Sequence, residues 1–176
     1  MAGCERRKVR PDFPWTNFCG ICKTAAAAVL KLPGDVLSSA AAGFARSWAS
    51  HDPVTAGAWA AGLPEGNARG NAYSGIMYRW ATADAAASAK WLGTLPGGKS
   101  RDSAVRAFSD RITARDPEGV AQWAGTISDE NNRRSAVENV ARNWMQKDRN
   151  AASAWMQTTN LLPDESRQRL LGTGKQ

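Results

Sequence analysis

Side chains that could carry catalysis or bind a metal are few in this sequence. Its 176 residues include one histidine, His51, and three cysteines. Cys19 and Cys22 have the spacing of a zinc-ligand pair, and Cys4 and His51 could in principle complete the set. No second Cys-x-x-Cys or His-x-x-x-His pair accompanies them, so we expect free thiols, no metal and no cofactor. No nucleophile–base pair is evident either, which predicts a protein that is not an enzyme.

Three arginines recur at a constant interval along the chain, at Arg69, Arg101 and Arg133. Each is expected in the first turn of a helix, where a cation opposes the helix dipole. One interpretation is that each guanidinium stacks on the tryptophan of its own helical hairpin or pairs within the molecule. The alternative is a ladder of cations that binds acidic peptides or phosphates. The three arginines are therefore candidate binding residues.

Four aspartates follow the same interval, at Asp52, Asp84, Asp116 and Asp148. Asp52 and Asp116 directly precede a proline, which is typical of a capping side chain before the first helical residue. Repeated carboxylate chemistry or Ca²⁺ ligation would need these side chains together, whereas successive copies lie a whole repeat apart. We predict that they are N-caps.

The elements that must position these side chains form a 32-residue repeat. Seven of the eight tryptophans fall in two columns of this period. The first column consists of Trp59, Trp91, Trp123 and Trp155. The second consists of Trp48, Trp80 and Trp144, with Ile112 at the position between Trp80 and Trp144. Large aromatic residues on apolar stripes are usually buried, so we predict that the tryptophans are core.

Each unit is predicted to contain two helices. The first begins at the aspartate and has apolar residues at i, i+3, i+4 and i+7 over 56–63, which is the helical spacing. The second begins near Asn67, Lys99 or Asn131 and ends one turn before the next aspartate. Short connections make the two helices antiparallel, and stacked pairs share a core. The sequence therefore predicts an all-α fold, a right-handed α-solenoid of antiparallel helix pairs.

The predicted domain organisation has three parts. An irregular basic tail occupies 1–20, the helical array occupies 21–171, and a frayed end occupies 172–176. The units of the array are placed at about 21–49, 50–81, 82–113, 114–145 and 146–171.

Over about residues 21–171 the chain resembles tetratricopeptide- and Sel1-like α-solenoids. It is more similar to tandem repeats of large bacterial proteins with the pattern Trp-Ala-x-x-Asp-Pro-x-x-Ala-x-x-Trp, which Trp48 to Trp59 carries. The unit is slightly shorter than a tetratricopeptide repeat, which has about 34 residues, and it lacks the residue pattern of that repeat. The resemblance implies an interaction scaffold and no catalytic residues.

The predicted first helices expose small and polar side chains, which would leave a concave groove that suits a peptide or a partner helix. The candidate binding residues there are Lys90, Thr94, Gln122 and Thr126, in addition to the three arginines. We therefore predict a non-catalytic scaffold that binds a protein or peptide. The alternatives are a nucleic-acid-binding repeat protein that uses the arginines, and an accessory repeat region of a larger enzyme.

Charge and hydropathy limit which functions and cellular locations we expect for the protein. The net charge of +7 is spread over 23 basic and 16 acidic residues, unlike a compact polyanion-binding stripe. The longest apolar run, residues 25–30, is far shorter than the roughly 20 residues that span a bilayer, so no membrane association is expected. Free cysteines favour a reducing compartment such as the cytoplasm, or else a segment that is not part of the mature protein. Open ends of a solenoid would permit end-to-end self-association.

Overall fold

The computed structural model describes residues 24–172. In this range the backbone is helical or in turns and contains no strand, which confirms the predicted all-α class. The predicted basic tail at 1–20, the three cysteines and residues 173–176 lie outside the described residues. The predictions made for them therefore stay predictions.

Long and short helices alternate along the described chain. Residues 24–29 are helical and precede nine further helices of the described range. These are α1 Gly34–Ala49, α2 Pro53–Ala61, α3 Asn67–Ala83, α4 Ala85–Thr94, α5 Lys99–Ile112, α6 Pro117–Gly125, α7 Glu130–Lys147, α8 Arg149–Thr158 and α9 Asp164–Gly172.

The short helices α2, α4, α6 and α8 begin in the same way. A carboxylate before each one accepts a hydrogen bond from the backbone amide three residues later, at 2.9–3.0 Å. The four residues are Asp52, Asp84, Asp116 and Asp148, so their predicted capping role is confirmed. Asp129 caps α7 in the same way, at 2.8 Å from the amide of Asn132, which the sequence did not predict.

Two of the long helices end later than predicted, whereas α5 ends at Ile112, one turn before Asp116, as predicted. Helices α3 and α7 do not stop one turn before the next aspartate but run to the residue directly before it. The amides of Asp84 and Asp148 complete these helices by donating to the carbonyls of Trp80 and Trp144, at 2.7 and 2.8 Å. One residue thus ends a long helix with its amide and caps a short helix with its carboxylate.

Helices α1, α3 and α5 pack side by side, with α3 between the other two. Where α3 meets α1, a Cβ on Gly75 would overlap the carbonyl oxygen of Ala42, so only glycine allows this approach. Where α3 meets α5, a Cβ on Gly70 would lie 3.0 Å from the hydroxyl of Ser103. Small residues therefore set the short spacing between these helices.

The two tryptophan columns are buried to different degrees. Trp48 and Trp80 on the long helices are 6% and 7% exposed, whereas Trp144 on α7 and the four tryptophans of the short helices are half-buried. Indoles of successive helices pair with similar geometry. The ring centroids of Trp48–Trp59, Trp80–Trp91 and Trp144–Trp155 are 6.2, 5.6 and 5.6 Å apart, at interplanar angles of 44°, 40° and 38°.

Candidate functional site

The three arginines of the predicted ladder are held by backbone carbonyls. The Nε of Arg69 donates to the carbonyl of Leu63 at 2.7 Å, and its second amino group donates to the same oxygen. Arg133 donates to the carbonyl of Ile127 at 3.0 Å. Both carbonyls lie just beyond the end of the preceding short helix. The guanidinium groups of Arg69 and Arg133 therefore lie at the negative end of the preceding short helix rather than at the positive start of their own helix.

Arg101 reaches the next hairpin instead of its own. It donates to the carbonyl of Thr126 at 3.1 Å, and its guanidinium carbon lies 5.8 Å from the ring centre of Trp123. The prediction of intramolecular pairing thus agrees with these contacts. The prediction that Arg101 stacks on the tryptophan of its own hairpin, Trp91, was wrong, because Trp123 belongs to the following one.

Glu65 links Arg69 to the start of α5. Its carboxylate lies 3.0 Å from the Arg69 guanidinium and accepts the backbone amide of Ser100, at the start of α5, also at 3.0 Å. Burial alone would raise the pKa of Glu65, but the hydrogen bonds from Ser100 and the charge of Arg69 outweigh it and lower the pKa. The ionised carboxylate therefore joins two hairpins.

The structure separates the four candidate residues of the short helices into two sets. Gln122 and Thr126 line one cleft between α6 and the turn that follows α8. Lys90 and Thr94 lie on α4, and Thr94 donates its hydroxyl to the carbonyl of Trp91 at 2.7 Å. Thr126 makes the equivalent bond to Trp123, also at 2.7 Å. The two threonine hydroxyls thus donate to their own helices.

The cleft beside α6 has a volume of about 510 Å³ and a mixed lining. Trp155 is half-buried and supplies an apolar surface, while Gln122 and Asn160 supply side-chain amides. Within the described residues neither amide has a hydrogen-bond partner. Glu118 is the one charged residue of this lining. We call this cleft the α6–α8 groove.

A second group of cationic residues was missed by the sequence analysis. Arg46 and Arg111 lie over the ring of Tyr78, at 3.6 and 3.7 Å from its centre, and Arg79 follows Tyr78 on α3. The signal was present in the sequence, because Tyr78 lies one repeat interval after Arg46, and Arg111 lies one repeat interval after Arg79. The residues of each pair are thus 32 apart in the sequence and lie on adjacent long helices.

Comparison with known proteins assigns neither a family nor a function to the chain. No family model matches the chain, and neither a curated protein nor a solved structure matches it. Among residues 24–172, no three His, Cys, Asp or Glu side chains are grouped so that they could hold a metal ion. No helix in that range is both long and apolar enough to cross a membrane.

Proposed function

We propose that the chain is a non-catalytic helical-repeat scaffold of the α-solenoid type, with a right-handed stack of 32-residue units. Two recurring features support this architecture. Aspartates spaced at the repeat interval cap the four short helices, and indole pairs of nearly equal geometry link long helices to the short helices that follow them. In such arrays each unit contacts its neighbours alone, and the open surface serves to bind partners.

We propose further that the α6–α8 groove binds a peptide segment of a partner protein. The observation that carries this proposal is the pair of unengaged amides, Gln122 and Asn160, in one groove with the half-buried ring of Trp155. A side-chain amide both donates and accepts, as the backbone of a bound peptide requires. An indole offers a large apolar surface at low cost in side-chain entropy, which is why tryptophan is enriched at binding hot spots.

Nucleic-acid binding by the arginine ladder has less support. Arg69, Arg101 and Arg133 donate to backbone carbonyls, so a phosphate would have to compete with those bonds. A repeat protein that makes one set of nucleic-acid contacts per unit would need the N–H groups of these arginines to be free.

A peptide-display screen with the full chain tests the groove. Gln122→Lys places a longer cation in the groove, and Gln146→Lys makes the same substitution at an exposed position of α7. We expect peptides selected on the wild-type chain to lose about tenfold or more in affinity for Gln122→Lys. Their affinity for Gln146→Lys should be unchanged. A screen that selects no peptide, or peptides equally affected by both variants, would contradict the proposal.

A further inference from the structure

A cleft of about 410 Å³ lies where the long helices α1, α3 and α5 end. Tyr78, Arg79 and Arg111 line it, together with Ser50 and His51 from the turn after α1. No aspartate or glutamate is among its lining residues. We call it the cationic cleft. It uses other helices than the α6–α8 groove, so the inference below does not rest on peptide binding there.

The ring of Tyr78 holds two guanidinium groups in place. Arg46 comes from α1 and Arg111 from α5, the two neighbours of α3, and each guanidinium carbon lies within 3.7 Å of the ring centre. At that distance a guanidinium lies flat on the ring, and its N–H groups point outward in the plane of the group. Arg111 is therefore oriented before any ligand arrives, which reduces the entropy that binding costs.

The charges of this cluster are not balanced by carboxylates. The salt bridges of the described residues involve Arg69, Arg167 and Arg169, so Arg46, Arg79 and Arg111 have no carboxylate within 4.0 Å. Asp110, the neighbour of Arg111 in the chain, lines the separate cleft between α5 and α7, and Asp52 and Asp84 use a carboxylate oxygen to cap α2 and α4. The negative end of a helix carries only about half a unit charge, so the ends of α1, α3 and α5 together leave about half of the three positive charges uncompensated.

The geometry points to an oxyanion as the ligand, and we propose that the cationic cleft binds a phosphate monoester. The guanidinium groups of Arg79 and Arg111 offer paired N–H donors that match phosphate oxygens. Tyr78 adds a hydroxyl that has no hydrogen-bond partner within the described residues. A dianionic phosphate also matches the uncompensated charge better than a single carboxylate does.

A nucleic-acid strand fits this cleft poorly. Strand-binding proteins stack successive bases on aromatic rings. Here both faces of Tyr78 are covered by Arg46 and Arg111, and Trp80 is 7% exposed. The next residue in the Arg46–Tyr78 column is Asp110, so the cationic pattern does not continue along the array. The cleft is one discrete anion site rather than part of a phosphate track.

Isothermal titration of the full chain tests the proposal with two probes, inorganic phosphate and an acetyl-Gly-phosphoserine-Gly-amide peptide. The unphosphorylated peptide is the negative control. We expect Arg79→Gln and Arg111→Gln each to weaken binding roughly ten- to hundredfold, since each removes charge-assisted hydrogen bonds. Tyr78→Phe keeps the ring between the two guanidinium groups and should weaken binding severalfold. Arg149→Gln removes the same charge at an exposed position of α8 and should leave binding unchanged.

Each result of the titration leads to a different conclusion. Tighter binding of the phosphopeptide would identify a phosphorylated side chain as the ligand, and binding of inorganic phosphate at least as tight would identify a small free phosphate. Both results support the site. The proposal is overturned if neither probe binds, or if Arg149→Gln weakens binding as much as Arg79→Gln. It is also overturned if a single-stranded oligonucleotide binds more tightly than both probes and responds to Arg79→Gln.

Discussion

Two carboxylate side chains each connect one helical hairpin to the next, close to the ends of the helices. Glu65 receives the amide of Ser100, and Asp102, which is 3% exposed, receives the amide of Ser128 at 3.0 Å. Each carboxylate thus satisfies a backbone donor of the next hairpin, a donor that would otherwise be left unpaired beside a helix start. The sequence shows where these carboxylates are but not what they bind, because the partner depends on how two separate hairpins stack.

The link through Glu65 is expected to depend on pH. The pKa of Glu65 is lowered in the folded state, so the ionised carboxylate adds stability above its ordinary pKa of 4.5. That stability is lost as the pH falls through the lower, folded-state value. Glu65→Gln should therefore lower the free energy of unfolding at pH 7, by less than about 1 kcal/mol because the group is half-exposed and screened by solvent.

Urea unfolding of the wild type and of Glu65→Gln, at pH 7 and at pH 3, measures this difference. It should be smaller at pH 3, because the stability that the ionised carboxyl contributes decreases as the pH falls below 4.5. A difference of equal size at both pH values would show that the charge of Glu65 contributes nothing.

At the scale of helices, the size of one side chain on each long helix accompanies how closely the next long helix approaches. These side chains, 32 residues apart in the sequence, are Ala42 on α1, Ser74 on α3 and Arg106 on α5. Ala42 lies against Gly75 where α1 meets α3, and Ser74 donates to the carbonyl of Ser103, at 3.2 Å, where α3 meets α5. Arg106 lies between α5 and α7, where a polar cleft of about 230 Å³ opens. The contact between neighbouring long helices is therefore less close where the side chain at this position is larger.

Two glycines in the long helices provide a matched test of this packing. A Cβ on Gly75 meets the backbone of Ala42, whereas a Cβ on Gly43 of α1 has nothing within 4 Å. Gly75→Ala should destabilise the fold by roughly 1–3 kcal/mol through overpacking. Gly43→Ala should stabilise it by about 0.5–1 kcal/mol, because alanine loses less backbone entropy in a helix.

Chemical denaturation of the two variants beside the wild type gives both values. If both substitutions stabilised the protein, α1 and α3 would not be in close contact in solution.

Over the whole molecule, periodicity in the sequence predicted the alternation of helices and the four aspartate caps of the short helices, because both depend on residues close together in the chain. It did not predict the ends of α3 and α7 or the cap Asp129. The cationic cleft was not predicted. Tyr78 receives Arg46 and Arg111 only because α1 and α5 flank α3 at short range, and that spacing depends on Gly75 and Ala42. A repeat pattern shows which positions are equivalent, whereas the distance between neighbouring copies depends on residues that differ between units.

The packing of the core indicates that stability is distributed unevenly. A main cluster of buried side chains extends from Ala26 to Val140 in α7, and a smaller one lies around Met156, Leu162 and Leu170. A region with fewer buried apolar contacts opens at a lower free energy than the main core. We therefore expect amide hydrogens of α8 and α9 to exchange before those of α3 and α5, as measured by hydrogen exchange with mass spectrometry.

A matched pair of substitutions separates local from global opening. Met156 in α8 and Met77 in α3 are both fully buried, and truncation to alanine at such a site costs roughly 2–5 kcal/mol. Met156→Ala should accelerate exchange in α8 and α9 and leave α3 protected, because the lost contacts lie in the smaller cluster. Met77→Ala should accelerate exchange in α3 and in its neighbours α1 and α5. Equal acceleration throughout the chain by both variants would mean that the units unfold as one cooperative body, and the uneven core would then have no consequence for dynamics.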